Sequence, residues 1–74
     1  MKVKYDIETD ILYIKLSEKP IIDSDEDKPG LILDFSEDGS LVGIEIINAS
    51  KNIDNLDKID ISGAAGEYSF AMAA

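Results

Sequence analysis

No stretch of this chain restricts its folding as strongly as Leu31 to Asn48, which reads LILDFSEDGSLVGIEIIN. Two runs of alternating apolar residues flank the polar segment Ser36-Glu37-Asp38-Gly39-Ser40. Asp38-Gly39 between such runs is a strong hairpin signal, because glycine takes the positive φ that a tight or bulged turn demands. The spacing therefore predicts two antiparallel strands joined by an acidic turn.

The preceding third of the chain repeats the pattern. Lys2-Val3-Lys4-Tyr5 alternates polar and apolar, Asp6 to Asp10 is turn-like, and Ile11 to Leu16 is rich in β-branched and aromatic residues. Lys19-Pro20 ends this first hairpin, since proline lacks the N–H that a central ladder uses. Ile21 to Asp27 is either a short, charged edge strand or a loop, and Pro29-Gly30 marks the next turn. Alternation gathers Val3, Tyr5, Leu12, Ile14, Leu16, Leu31, Leu33, Phe35, Val42, Ile44 and Ile46 on one face of a shared sheet. The opposite face takes Lys2, Lys4, Tyr13, Lys15, Asp34, Gly43 and Glu45, together with Ile11, Ile32 and Ile47.

An aliphatic face of this kind needs a cover, because burying each such side chain is worth about 1.5–3 kcal/mol. Beyond Ser50 the apolar residues Ile53, Leu56 and Ile59 recur every third position, which predicts a short helix within 49–61, capped by Ser50 or Asn52. Asn and Asp are indifferent helix formers, and Ile59-Asp60-Ile61 also fits a strand. Residues 62–74 read as a linker, Ser62 to Gly66, and a tail that is an edge strand, a docked segment or a disordered end, in that order of preference. The expected fold is α+β: one domain over 1–74, with a single antiparallel β-meander sheet of four or five strands within 1–48. A short C-terminal helix or tail covers one face of that sheet.

With 74 residues the core is modest, and without cysteine no disulfide supplements it. Oligomerisation is the remaining supplement, and a homodimer is the expected state. A formal charge of −9 repels phosphate backbones, so nucleic acid is excluded as a natural partner. No apolar run is long enough for a signal peptide or a membrane span, and the absence of cysteine suits a reducing compartment. A soluble, cytoplasmic protein is expected. Asn48-Ala49-Ser50 matches a glycosylation sequon and carries no weight in that setting.

The chain has no histidine and no cysteine, which removes the commonest general base and the thiol nucleophile. Catalysis would rest on carboxylates, tyrosine or lysine. Asp6, Glu8 and Asp10 crowd the first turn, where paired carboxylates can share a proton; the simpler reading makes them turn formers bonded to nearby backbone N–H groups. Asp23, Asp25 and Asp27 open like a calcium loop and are the candidate metal ligands. Lys28 stands where that loop needs glycine, so a solvated acidic edge is favoured, and no cofactor is expected. Tyr13, Ile32 and Ile47 make an apolar cluster on the second face, and with Asp25 and Glu26 they are the candidate partner-binding residues. The alternative for that cluster is a face covered by the chain's own tail.

The run MKVKYDIETDILYIKL from Met1 to Leu16, Gly30 to Asp34, and Asp38-Gly39 through Val42-Gly43-Ile44-Glu45-Ile46 to Ala49-Ser50 together resemble a family of small prokaryotic proteins, domain of unknown function 2283. The shared patterns are YDxExDxLYI, a central GxxxD and a closing DGxxVGIEIxxAS, covering about the first two-thirds of the chain. The resemblance implies a compact antiparallel sheet of four or five strands, usually with a helical C-terminal addition, and no established activity. It also implies gene neighbourhoods that look like toxin and antitoxin pairs. The segment after Ser50 matches no family pattern. The expectation is a non-catalytic protein-interaction module, antitoxin-like in its gene context, that dimerises through its sheet and binds a basic small protein encoded nearby. The alternative is a small carboxylate-based metal-binding domain or enzyme.

Overall fold

A computed structural model of the chain describes residues 1–63 and 66–71. Its first hairpin joins β1 (Lys2–Asp6) to β2 (Ile11–Lys15), with Tyr5 opposite Leu12 and Val3 opposite Ile14. The turn is built as its sequence suggests: the Glu8 N–H donates to Asp6 Oδ1 at 3.0 Å, and Asp10 takes the left-handed conformation, φ 55°. Aspartate tolerates that conformation better than most residues.

β3 (Asp23–Lys28), β4 (Leu31–Phe35) and β5 (Leu41–Ile47) follow. The β4–β5 turn closes through a 3.0 Å bond from Gly39 N–H to the Ser36 carbonyl, with Gly39 at φ 82°. Asp38 locks it by accepting from the Ser40 N–H at 3.0 Å, from the Ser40 and Ser36 hydroxyls, and from Lys19 Nζ at 2.6 Å. The Lys19 ammonium, then the two serine hydroxyls, hold the Asp38 carboxyl far below the usual carboxylate range.

The five strands form one antiparallel sheet in the order β1-β2-β5-β4-β3. This corrects the expected meander. β3, β4 and β5 run consecutively, and β2 lies beside β5, so the connection from Leu16 to Ile22 must pass to the far edge, as in a Greek key. The reason is burial. A central strand is flanked on both sides, and β5 (LVGIEII), which includes the fully buried Val42, fills that place. β3 (DSDEDK), every residue of which is exposed, is relegated to the edge. Asp10 fastens the arrangement: its carbonyl accepts from Ala49 N–H at 2.9 Å, and its carboxylate accepts from Ser50 N–H at 3.0 Å and Ser50 Oγ at 2.6 Å.

The register confirms both faces. Val3–Ile14–Ile44–Leu33 and Tyr5–Leu12–Ile46–Leu31 form continuous cross-strand rows on the first face. On the second, Lys4–Tyr13–Glu45–Ile32–Glu26 and Lys2–Lys15–Gly43–Asp34–Ser24 do the same. Leu12, Val42 and Ala49 are the buried apolar residues among those described. Leu16, placed on the first face, lies just past the end of β2 and is 41% exposed.

The C-terminal third departs from expectation. The helix is one turn, α1 (Ala49–Asn52), entered through Asn48 rather than Ser50 or Asn52, and Ile53 is already extended. Residues 58–61 belong instead to β6 (Lys58–Gly63), which pairs with β7 (Gly66–Ala71). Asn55 sits at φ 54°, a conformation that ends a helix, and the pairs Ile59–Phe70 and Ile61–Tyr68 join β-branched to aromatic side chains across the two strands. The tail contributes this second strand as far as Ala71; the rest of the expected linker and tail, residues 64–65 and 72–74, lies outside the described residues. Met1 and Val3 line a cleft with Ile59, Ile61, Phe70 and Ala71, so the hairpin meets the first face at its β1 end. Among the described residues no helix is long and apolar enough to cross a membrane.

Candidate functional site

The second face of the sheet carries the most unusual chemistry. Asp34, in the middle of β4, is only 2% exposed although it is an acid. Burying a carboxyl is costly unless it is hydrogen-bonded. Ser24 Oγ donates to Asp34 Oδ1 at 2.6 Å from β3, and Glu45 of β5 hydrogen-bonds it from the other side. Burial, then the Asp34 charge, then this bond raise the Glu45 pKa.

Tyr13 roofs this pair. A Cβ built on Gly43 would lie 2.8 Å from Tyr13 Cζ and 2.9 Å from Cε1, so the phenol occupies the space over Gly43 that any side chain would need. Gly43 stands directly opposite Asp34, and Tyr13 directly opposite Glu45. Only glycine leaves room for the ring to cross β5. Burial, followed by the nearby Asp34 and Glu45 charges, raises the Tyr13 pKa. The constellation is two hydrogen-bonded carboxyls beside a phenol, with the Glu45 and Tyr13 pKa values both raised. Such a group can exchange protons or present a hydrogen-bonding surface. Among the described residues no three His, Cys, Asp or Glu side chains converge as a metal-binding group.

The candidates from sequence are placed differently. Asp6 serves the turn, while Asp10 binds the Tyr5 hydroxyl at 2.7 Å and both donors of Ser50, and Glu8 joins neither in a shared site. The Ser50 hydroxyl, then Tyr5, lower the Asp10 pKa, the opposite of what a general acid requires. Asp23, Asp25 and Asp27 lie along an extended, fully exposed strand instead of a loop that wraps a cation. Tyr13, Ile32 and Glu26 share one row of the second face, with Ile47 one register step away beside Ile11. Asp25 pairs with Leu33 and so belongs to the first face.

The Asp34–Glu45 pair was missed because the two acids are separated in sequence and become diagonal neighbours only through the β4–β5 register. The predicted hairpin held the signal, since alternation put both on its polar side. Removing the Asp10 clamp tests the other cluster. Asp10→Ala is expected to lower the urea midpoint clearly, losing three side-chain bonds and placing alanine at φ 55°. Asp10→Asn, which keeps an acceptor and tolerates that φ, should lose less. Equal midpoints would remove the clamp from the account.

The two clusters take up the chain's recurring motifs: Tyr5, Asp10, Ala49 and Ser50 meet at one end of the sheet, and Tyr13, Asp34, Gly43 and Glu45 on its second face. The sequence model of the family described as "Protein of unknown function (DUF2283)" matches residues 2–50. The chain belongs to this family. The DUF2283 region thus comprises the whole five-stranded sheet and the start of α1, and leaves β6 and β7 outside the match. A relative, Uncharacterized protein MJ0789 of Methanocaldococcus jannaschii, is 41% identical over 64 residues, covering 82% of this chain and 51% of the relative. The chain therefore spans about half the length of that relative. No solved structure matches this chain.

Proposed function

We propose that this DUF2283 protein is a non-catalytic protein-interaction module that receives a basic, extended segment along β3. The observation that carries this reading is the position of β3: it ends the sheet, all six of its residues are exposed, and Asp23, Asp25, Glu26 and Asp27 crowd it. An edge strand offers backbone donors and acceptors to an incoming strand. Its acidic side chains discourage neutral or acidic strands and attract basic ones. On the second face Glu26 begins the row that continues through Ile32 and Glu45 to Tyr13, with Ile47 alongside, so apolar side chains lie beside the charged edge. Asp25 serves the same edge from the first face. In a cell this is a cytoplasmic, antitoxin-like role, with the segment supplied by a small basic protein encoded nearby.

A synthetic peptide of alternating lysine and threonine is the probe. Titrated into isotopically labelled protein, it should shift the amide resonances of residues 23–28 first, and its affinity should fall as salt rises. The double variant Asp25→Lys, Glu26→Lys should abolish binding. Unchanged affinity in that variant would sink the reading.

The carboxylate-based alternative draws support from the Asp34–Glu45 pair beside Tyr13. Calorimetric titration with calcium, magnesium and manganese separates the two. Stoichiometric uptake that disappears in Asp34→Asn favours the alternative, and no heat with any of the three favours the module.

A further inference from the structure

We infer that the first face of the sheet and the apolar side of the β6–β7 hairpin close on a second copy of this chain, giving a two-fold homodimer. A compact monomer of 8.1 kDa exposes about 4,500 Å². This chain exposes 5487 Å². The surplus is on the order of 1,000 Å², close to the roughly 800 Å² that each partner contributes to a standard interface.

Part of the exposed apolar surface lies on the β6–β7 hairpin. Register puts Ile59, Ile61, Tyr68 and Phe70 on one side of the hairpin, and Ile61, Tyr68 and Phe70 are 41%, 52% and 53% exposed. That side is continuous with the sheet, since Ile59, Ile61 and Phe70 share their cleft with Val3, the end of the first-face row through Ile14, Ile44 and Leu33. The two rows that cross the face from β1 to β4 carry no charged side chain; charge enters only at their β3 ends, through Asp25 and Lys28. The net −9 therefore lies outside the contact. A second copy presents the same two surfaces, sheet and hairpin, so that a closed isologous pair can cover both at once. The contact uses those rows from β1 to β4 and the hairpin, stops short of their β3 ends and lies across the sheet from the second face, so the dimer stands or falls apart from the peptide-binding role.

Sedimentation equilibrium of the full chain at micromolar concentrations tests it. The expected mass is twice 8.1 kDa, and dissociation should be unchanged or suppressed by added salt, because screening relieves repulsion between two acidic copies. Binding of the basic peptide should weaken in salt, so the two readings fail separately. Phe70→Lys and Ile61→Lys should each raise the dissociation constant about tenfold or more. Lysine is chosen because it reduces the net negative charge, so loss of the dimer cannot come from added repulsion. Ile32→Lys, on the second face, should leave the dimer intact. Circular dichroism reports whether each variant keeps its fold, and the wild-type mass decides where one does not. A monomeric wild type, a dimer insensitive to both hairpin substitutions, or one dissociated by Ile32→Lys would each overturn the proposal.

Discussion

Gly43→Ala is expected to destabilise the protein by about 1–3 kcal/mol in urea unfolding, the range for forcing an extra carbon into a packed site. The direction is informative because intrinsic preference runs the other way. Gly43 lies within β5, and among the described residues its φ is not one of the positive ones, so alanine should be favoured by roughly 0.5–1 kcal/mol for backbone reasons alone. The ring of Tyr13 reverses the sign, since the new Cβ would lie 2.8 Å from Cζ. In a Tyr13→Ala background the same substitution should therefore be neutral or stabilising. A double-mutant cycle measures this coupling directly. If Gly43→Ala costs the same with and without Tyr13, the roof over the carboxyl pair has no energetic role. Lifting the ring should also wet Asp34 and Glu45, so the Glu45 carboxyl resonance in Gly43→Ala should titrate closer to an ordinary glutamate.

Glu45→Gln is expected to stabilise the protein at neutral pH and to change the shape of its pH dependence. Glu45 has a folded pKa above its unfolded value. Its contribution is fully present below the ordinary carboxyl range, roughly pH 4, and is lost as pH rises through the raised folded value. Asp10, Glu18 and Asp38 behave oppositely, because hydrogen bonds from Ser50, Lys15 and Lys19 respectively lower their pKa values. Their contributions are present above the ordinary carboxyl range and are lost as pH falls through the folded values. The two limbs place the stability maximum in mildly acidic solution. Glutamine at position 45 still donates to Asp34 and no longer loses a proton, so the decline from that maximum towards neutrality should flatten. Each tenfold difference in proton affinity between folded and unfolded Glu45 corresponds to about 1.4 kcal/mol recovered. The measurement is the thermal midpoint of wild type and variant across the acidic and neutral range. Parallel curves would mean that the Glu45 pKa is not raised by folding.

Much of this was legible in the chain because its determinants are local. Asp38-Gly39 located the β4–β5 turn, and period-two alternation assigned Tyr13, Asp34, Gly43 and Glu45 to one face, with Ile11, Ile32 and Ile47, and most of the aliphatic residues to the other. Where alternation competed with a three-residue spacing, in Ile53, Leu56, Ile59 and Ile61, the sequence was ambiguous. Helix and strand use the same isoleucines, and the outcome turned on whether Tyr68 and Phe70 would come back to meet them. The candidate site was less legible still. Asp6, Glu8 and Asp10 drew attention as neighbours in sequence, yet adjacency in a turn invites backbone bonds, and the hydrogen-bonded carboxyl pair arose between acids brought together by strand register.

Sequence alone thus determined four of the five strands of the main sheet, their two faces and the turns of the two hairpins, since these follow from side-chain alternation and from residues that adopt or avoid positive φ; it left β3 open between an edge strand and a loop. Tertiary structure decided which strands are neighbours. It set β5 between β2 and β4, because the most apolar strand gains most from a central place and the acidic strand loses least at an edge. It drew Ser50 to Asp10, paired β6 with β7, and set Asp34, Glu45 and Tyr13 within reach of one another. Those contacts join residues distant in the chain, and only the packed sheet specifies them.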